Sequence, residues 1–329
     1  MNTLISDIAK AAHFFTPWTG EFDQARLEEL LSQELSTEEG TRVILPETIV
    51  HIISGNTPHA AWQTLLNGLL LGSKNYLKLP SDGLLDLELQ LESLPEALRE
   101  LIETSRELPE HWIPEAEALV VYGSDMTIRH FRDLAPLEIP LISHGHRFGI
   151  ALIDDASEEA ARLVARDIGE FDQNGCLSVQ TIFHENPQLF APLLVRAMSQ
   201  FERENPRGVI GPSEHGAITN LRHEIRFLSA QDPEKFALWQ SENSTAWTII
   251  YEDSQGINLS PGNRTVFLKP RRCFVNSSHL SGIGLYPYRE RNDLPSPRVF
   301  PLGQAQHPPF GWAHDGIQPL RSLVKLQTV

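Results

Sequence analysis

The thiols of this chain are Cys176 and Cys273, and a thiolate is among the strongest nucleophiles a side chain can offer. Cys176 closes the stretch FDQNGC at 171–176. A nucleophilic thiol needs access, nearby hydrogen-bond donors and a rigid support. Here a glycine permits close backbone approach, an amide pair precedes it, and LSVQTIF follows as a candidate strand. Backbone N–H groups at such a turn can also face an oxyanion. The bland alternative is a small buried hydrophobe, as many cysteines outside disulfides are. Cys273 competes, because it follows Arg271 and Arg272 and cations lower a thiol's pKa. However, TVFLKPRRCFVNSS at 265–278 reads as strand, turn, strand, in which adjacent side chains point to opposite faces.

Other chemistry is weakly signalled. His144 and His146 have H-x-H spacing and in a strand would share a face, but the sequence around them offers no Cys, Asp or third His, so no metal is expected. His314-Asp315 before Gly316 reads as a turn rather than a catalytic dyad. The sequence contains no G-x-x-x-x-G-K-[ST] loop, no G-x-G-x-x-G, no H-E-x-x-H, no C-x-x-C and no G-x-S-x-G.

The elements that must position Cys176 follow from apolar periodicity. TIVHIISGN (48–56), NYLKLP (75–80), EALVVYGS (117–124) and IPLISHG (139–145) read as strands. Helical stretches separate them: PHAAWQTLLNGLLLG after the first and DMTIRHFRDL after the third. FGIALIDD (148–155) is followed by SEEAARLVARDIGEF, a helix with Ser157 as N-cap and acids in its first turn. SVQTIFHE and a helix from about Pro187 to Glu204 come next. This alternation predicts βα units and largely parallel sheets. Residues 1–40 read as amphipathic helix, and the Pro- and Gly-rich stretch from about 285 onward as irregular covering structure.

Length and composition bound the class. With 329 residues, 41% hydrophobic and 21% charged, the chain reads as a soluble globular protein of about two domains. The formal charge of −16 argues against a nucleic-acid partner. MNTLISDIAKAAHFF shows no signal-peptide pattern, and the most apolar stretch, LLNGLLLG, is too short to span a bilayer. Two cysteines make no disulfide framework, so a reducing cytoplasm is expected.

Four stretches taken together carry a family resemblance. ISGNTPHAAWQTLLNGLLLGSKNYLKLPSD (53–82) resembles the aldehyde dehydrogenase superfamily pattern of a strand ending in W-N-x-P, a helix, then G-N-x-V-x-x-K-P-S. VVYGSD (120–125) resembles its F-T-G-S segment, and DQNGC its G-Q-x-C nucleophile segment. Order and spacing fit from Ile53 to Phe183. Within that superfamily, ISGNTPHAAW, SHGHRFG and PPFGWAHDGIQPLRSLVKL are most similar to the acyl-CoA reductases of the bioluminescence fatty acid reductase family.

The resemblance implies an aldehyde-dehydrogenase-like α/β fold. A Rossmann-type nucleotide-binding domain would occupy 1–147, with the tail 295–329 rejoining it, and an α/β catalytic domain 148–294. It implies Cys176 as acyl-accepting nucleophile and Asn56 as a side-chain amide that, with the Cys176 backbone N–H, holds the oxyanion. Lys78 matches the lysine contacting the adenosine ribose and its 2′-phosphate, and Gly123 and Ser124 the turn beside the nicotinamide dinucleotide. The implied reaction is NADPH-dependent reduction of an acyl-CoA or acyl-protein thioester to an aldehyde, with NADH left open and a homo-oligomer left open. Ser143 stands where hydrolytic relatives carry a water-activating glutamate, which disfavours release of a free acid. Ile128 replaces a glycine that would let a helix N-terminus approach the pyrophosphate, and no E-x-F-G-P segment is present. Those two departures motivate the alternatives: a cysteine-dependent acyltransferase without hydride transfer, or a non-catalytic binding subunit.

Overall fold

Short apolar strands separated by helices commit a chain to parallel sheets covered on both faces, and that is the architecture found. A computed structural model describes residues 2–328 except Asn56 and Pro295. The chain divides into two compact units, one of residues 1–146 with 307–329 and one of residues 147–306.

The first unit contains β1 (Thr41–Ile44), β2 (Thr48–Ile52), β3 (Lys74–Lys78), β4 (Ile102–Ser105), β5 (Ala118–Tyr122) and β6 (Leu141–His144). β2 to β6 form a parallel sheet in the order β4-β3-β2-β5-β6. β1 pairs antiparallel with the closing strand Lys325–Thr328. The direction of winding reverses between β2 and β5. The loops after these two strands therefore border the crevice in which open α/β sheets bind ligands. The helix His59–Leu70 has ten of its twelve residues buried, so it is a core helix rather than a surface one. The helices Asn2–Lys10 and Ala12–Thr19 pack against it, Gln24–Leu35 packs on the first of these, and the three bring Ile8, Phe15 and Leu27 to the same core. Trp112 and Phe131 close the other face of the sheet against Val50, Leu119 and Val121. One polar group enters this core with its partners: His51 bonds Thr64 at 2.6 Å and Asn75 at 3.0 Å. Burial lowers its pKa to about 4, so it is neutral. Gly68 makes the room, since a Cβ there would lie 1.8 Å from Asn75 Oδ1.

The second unit contains β7 (Phe148–Ile153), β8 (Val179–His184), β9 (Phe236–Gln240), β10 (Thr248–Glu252), β11 (Thr265–Pro270), β12 (Leu280–Tyr286) and β13 (Val299–Pro301). Their order is β13-β12-β7-β8-β11-β10-β9, parallel except for β9. β7, β8 and β11 are buried along their whole length, as expected of strands covered on both faces. The helices Glu158–Gly169 and Pro187–Glu204 supply that cover through Val164, Ile168, Phe190 and Leu194. Ser157 caps the first of them, its Oγ accepting from Ala160 N at 3.2 Å.

The strand–turn–strand expected over 265–278 is corrected in its second half. β11 ends at Pro270, Arg271–Cys273 form a 3₁₀ turn, and the next strand begins only at Leu280. Among the described residues, no helix is long and apolar enough to cross a membrane.

Candidate active site

Cys176 lies in the connection from the helix Glu158–Gly169 to β8, over the amino ends of the parallel strands. The turn that delivers it is unusual backbone. Phe171, Asp172 and Gln173 have φ of 51°, 53° and 63°, three consecutive side-chain-bearing residues in the left-handed region. Each costs about 1–2 kcal/mol, so such a turn persists only where its surroundings over-determine it.

Two anchors do so. Asp172 accepts from Gly208 N at 3.0 Å and pairs with Arg264 at 2.6 Å. Arg264 is itself 3% exposed, pairs with Glu202 at 2.5 Å and donates to Asn205 O at 2.8 Å. Gln173 is the second anchor and is 2% exposed. Its Nε2 donates to Val179 O at 2.8 Å, and its Oε1 accepts from Thr265 N at 2.7 Å. One amide thus ties the turn to β8 and β11. Beyond it Gly175 is buried and Cys176 is half-buried as a residue, on a fixed base.

Cys273 does not share these properties. It is 2% exposed, with Sγ 3.4 Å from Asp253 Oδ1. Burial first, and Asp253 second, push its thiol pKa up. The adjacent arginines expected to activate it do not offset this. Arg272 is paired to Asp253, and Arg271 lies 3.5 Å from Asp154. Of the two cysteines, Cys176 is the less buried.

The other candidates lie in the first unit, at the carboxyl edge of its parallel sheet. Lys78 ends β3, half-buried, and has no ion-pair partner among the described residues. Gly123 and Ser124 follow β5, across the reversal from β2. Gly123 has a steric reason to be glycine: a Cβ would meet Thr127 side-chain atoms at 2.9 Å. Ser124 caps the helix Asp125–Leu134, with Oγ accepting from Thr127 N at 3.2 Å. Asn56, the expected oxyanion amide, lies outside the described residues. A cation at the end of β3, next to β2, and a close glycine turn after β5 are groups that suit an anionic dinucleotide. Asp125 in the first turn of the helix that Ser124 caps opposes a phosphate seated directly on it. Ile128 packs its Cδ1 3.3 Å from where a Gly145 Cβ would be. The fit is therefore to Lys78 and the Gly123 turn rather than to the helix end.

Sequence reasoning missed one cluster. His144 Nδ1 lies 2.9 Å from Asp315 Oδ2, and the two side chains are 7% and 2% exposed. A carboxylate only accepts, so Nδ1 carries the proton. The rings of Tyr122, His144, His314 and Trp312 stack in that order, with centroids 4.4, 4.5 and 4.8 Å apart. His146, expected to share a face with His144, is exposed beyond the end of β6. His144, His314 and Asp315 bring ligand-type atoms within 4.8 Å of one another. The two imidazole rings are stacked, their planes 26° apart, and His144 Nδ1 is engaged by Asp315. The geometry is that of a hydrogen-bonded anchor. The His314-Asp315 turn is present, but the acid's bonded partner is His144, 171 positions away, a distance no local motif encodes.

Comparison with known proteins bears on family and fold. The chain matches the acyl-CoA reductase (LuxC) family over residues 26–326. It is 22% identical over 305 residues to a long-chain acyl-protein thioester reductase from Aliivibrio fischeri, and 21% identical over 305 residues to long-chain acyl-protein thioester reductase 2 from Photobacterium leiognathi. Each match covers 84% of this chain and 62% of the relative, so the chain spans about three-fifths of the relatives' length. In fold it is similar to an aldehyde dehydrogenase from Bacillus cereus solved with NAD+, with a TM-score of 0.68, 13% identity, and coverage of 100% of this chain and 83% of that one. Aldehyde dehydrogenase 21 from Physcomitrella patens, solved with succinate, is similar at a TM-score of 0.62 and 12% identity, covering 99% and 84%. The resemblance drawn from the sequence holds: this chain belongs to the acyl-CoA reductase (LuxC) family and has the aldehyde dehydrogenase fold.

Proposed function

We propose that the protein reduces an acyl thioester to an aldehyde through an acyl group carried on Cys176. The observation that carries this reading is Cys176, a half-buried residue just past a left-handed turn that Gln173 and Arg264 hold in place. The Cys176 thiolate attacks the thioester carbonyl. A tetrahedral oxyanion forms and collapses, the C–S bond to the carrier breaks, and the carrier thiolate leaves. With a thiol pKa of about 8–9, that leaving group needs no dedicated acid. The Cys176 N–H and the Asn56 side-chain amide are the donors this reading assigns to the oxyanion.

A reduced nicotinamide, when bound, supplies the hydride that converts the Cys176 thioester to a thiohemiacetal. Collapse of the latter returns the thiolate and releases aldehyde. Lys78 would hold the adenosine ribose, with a 2′-phosphate favouring NADPH over NADH, and Gly123 and Ser124 would border the dinucleotide. Ser143 in place of an acidic base leaves no carboxylate at that position to activate water, which protects the acyl-enzyme from hydrolysis. The carrier is CoA or a protein thiol; the relatives' names, acyl-protein thioester reductases, favour long acyl chains and the protein thiol.

Asp125 and Ile128 favour a second reading, acyl transfer without reduction. Absorbance of NADPH separates the two. Acyl-thioester-dependent oxidation, with a KM for NADPH raised about tenfold or more in Lys78→Ala, is expected. Acylation of Cys176 without oxidation by NADPH or NADH would select the acyltransferase.

A further inference from the structure

Strand pairing around the cysteine is irregular in a specific way. Between β12 and β7, Leu280 pairs with Phe148 and Gly282 with Gly149, so Ser281 is an extra residue on β12. Between β7 and β8, Gly149 pairs with Val179 and Ile150 with Thr181, so Gln180 is an extra residue on β8. Bulges are uncommon between parallel strands and re-aim the side chain they insert. Here two of them flank one glycine. Gly149 is glycine for a steric reason: a Cβ would lie 2.8 Å from Leu177 O and 3.0 Å from Ser178 O. The backbone just after Cys176 is drawn in against it, Gly149 N donating to Ser178 O at 3.0 Å.

The bulge on β12 turns the Ser281 hydroxyl, fully buried, onto the carbonyl oxygen of Cys176 at 2.6 Å. That contact fixes the peptide plane on one side of the cysteine. The plane on the other side is fixed too, because Gly175 O accepts from Ser178 N at 3.1 Å. A trans peptide is planar, with C=O and N–H opposed, so holding Gly175 O also sets the direction of the Cys176 N–H. Ser178 is braced in turn by Gln306, whose Nε2 donates to its Oγ at 2.9 Å. With both planes held, φ and ψ of Cys176 are set, and with them the direction in which the thiol leaves the backbone.

We infer that Ser281 is a positioning residue for acyl transfer on Cys176, acting through the backbone carbonyl rather than on the substrate. The inference rests on the acyl-enzyme reading above. The hydroxyl matters where the attacking sulfur and the oxyanion donor must be aligned together. It matters little for a reaction that asks only for an accessible thiolate. A displacement of about 1 Å costs on the order of 100-fold in an oriented reaction, so loss of this one strut is expected to cost about 10- to 100-fold.

The test compares two reactions of the same thiol in wild type, Ser281→Ala and Ser281→Thr. The first is acylation by a long-chain acyl-CoA, read by intact mass against time. The second is alkylation by iodoacetamide, which needs no oxyanion donor. The expected result is acylation slowed about 10- to 100-fold in Ser281→Ala, alkylation within about threefold of wild type, and acylation restored by Ser281→Thr, which returns the hydroxyl. Parallel losses in both reactions, or acylation of Ser281→Ala within threefold of wild type, would overturn the inference while leaving the acyl-enzyme intact. Wild type that is alkylated at Cys176 but never acylated would overturn the acyl-enzyme reading, and this inference with it.

Discussion

Replacing Gln173 by leucine removes one amide and leaves its volume roughly filled. Two backbone groups lose their partner. Val179 O, on a residue with no exposed surface, loses the 2.8 Å bond from Nε2. An orphaned buried acceptor costs about 1–3 kcal/mol. Thr265 N–H loses its 2.7 Å bond to Oε1 but keeps a longer one to Gly262 O at 3.2 Å, so its penalty is smaller, about 0.5–1 kcal/mol. The left-handed φ of residue 173 remains and is no longer held. The sum is about 1.5–4 kcal/mol of the second unit's stability. For a cooperative unit of this size that corresponds to a melting temperature lowered by roughly 3–16 °C. Scanning calorimetry of wild type and variant reads this directly. Gln173→Glu sharpens the test, because a protonated carboxyl can still donate to Val179 O and a carboxylate cannot. Burial raises the folded-state pKa of such a group, so Gln173→Glu should be nearer wild type at pH 5 than at pH 8. A drop below about 2 °C for Gln173→Leu, or a Gln173→Glu difference from wild type that does not change with pH, would refute the claim that this amide anchors the turn.

Two further outcomes follow from buried acids. Asp167 accepts from Gly303 N at 2.7 Å and Ala305 N at 2.9 Å, and burial, outweighing those amides, pushes its pKa up to about 7. Above its unfolded value near 4, the unfolded chain releases a proton that the folded chain keeps until about pH 7. Its contribution is thus full below pH 4 and is lost as pH rises to about 7, a few kcal/mol in all. Denaturant titrations from pH 4.5 to 8 should show a stability difference between wild type and Asp167→Asn that shrinks as pH rises and is constant above about 7.5. For the tail, Asp315→Ala removes the acceptor of His144 and puts alanine where φ is 56°. A loss of about 2–3 kcal/mol in the first unit, with faster hydrogen exchange across 309–323, is expected; unchanged exchange there would mean that the anchor lies elsewhere.

The legible parts of the fold were those with a strong local signal. The helix after Ser157 carries a cap, first-turn acids and a full apolar stripe, and it forms with that serine capping it. β7 is a continuous apolar run because both of its faces are covered, and β8, buried as fully, keeps Val179, Ile182 and Phe183 as its apolar signal. β4 went unread, since Ile102-Glu103-Thr104-Ser105 is a half-buried edge strand with one strongly apolar residue. The helix Pro212–Gln231 buries only Ile218, Arg222 and Ile225, too few to mark a face. At the candidate site the thiol could be named from its neighbours in sequence. Its anchors could not, because Arg264, Thr265 and Ser281 reach the turn from about 90 to 105 positions away. Only the folded strands make that arrangement visible.

The most direct measurement is intact-protein mass after incubation with a long-chain acyl-CoA and, separately, an acylated carrier protein, for wild type, Cys176→Ala and Cys273→Ala. The account predicts an adduct of one acyl group in wild type and Cys273→Ala, removed by hydroxylamine as a thioester is, and absent in Cys176→Ala. An adduct that survives in Cys176→Ala, or no adduct with either donor in a protein whose Cys176 still reacts with iodoacetamide, would contradict it.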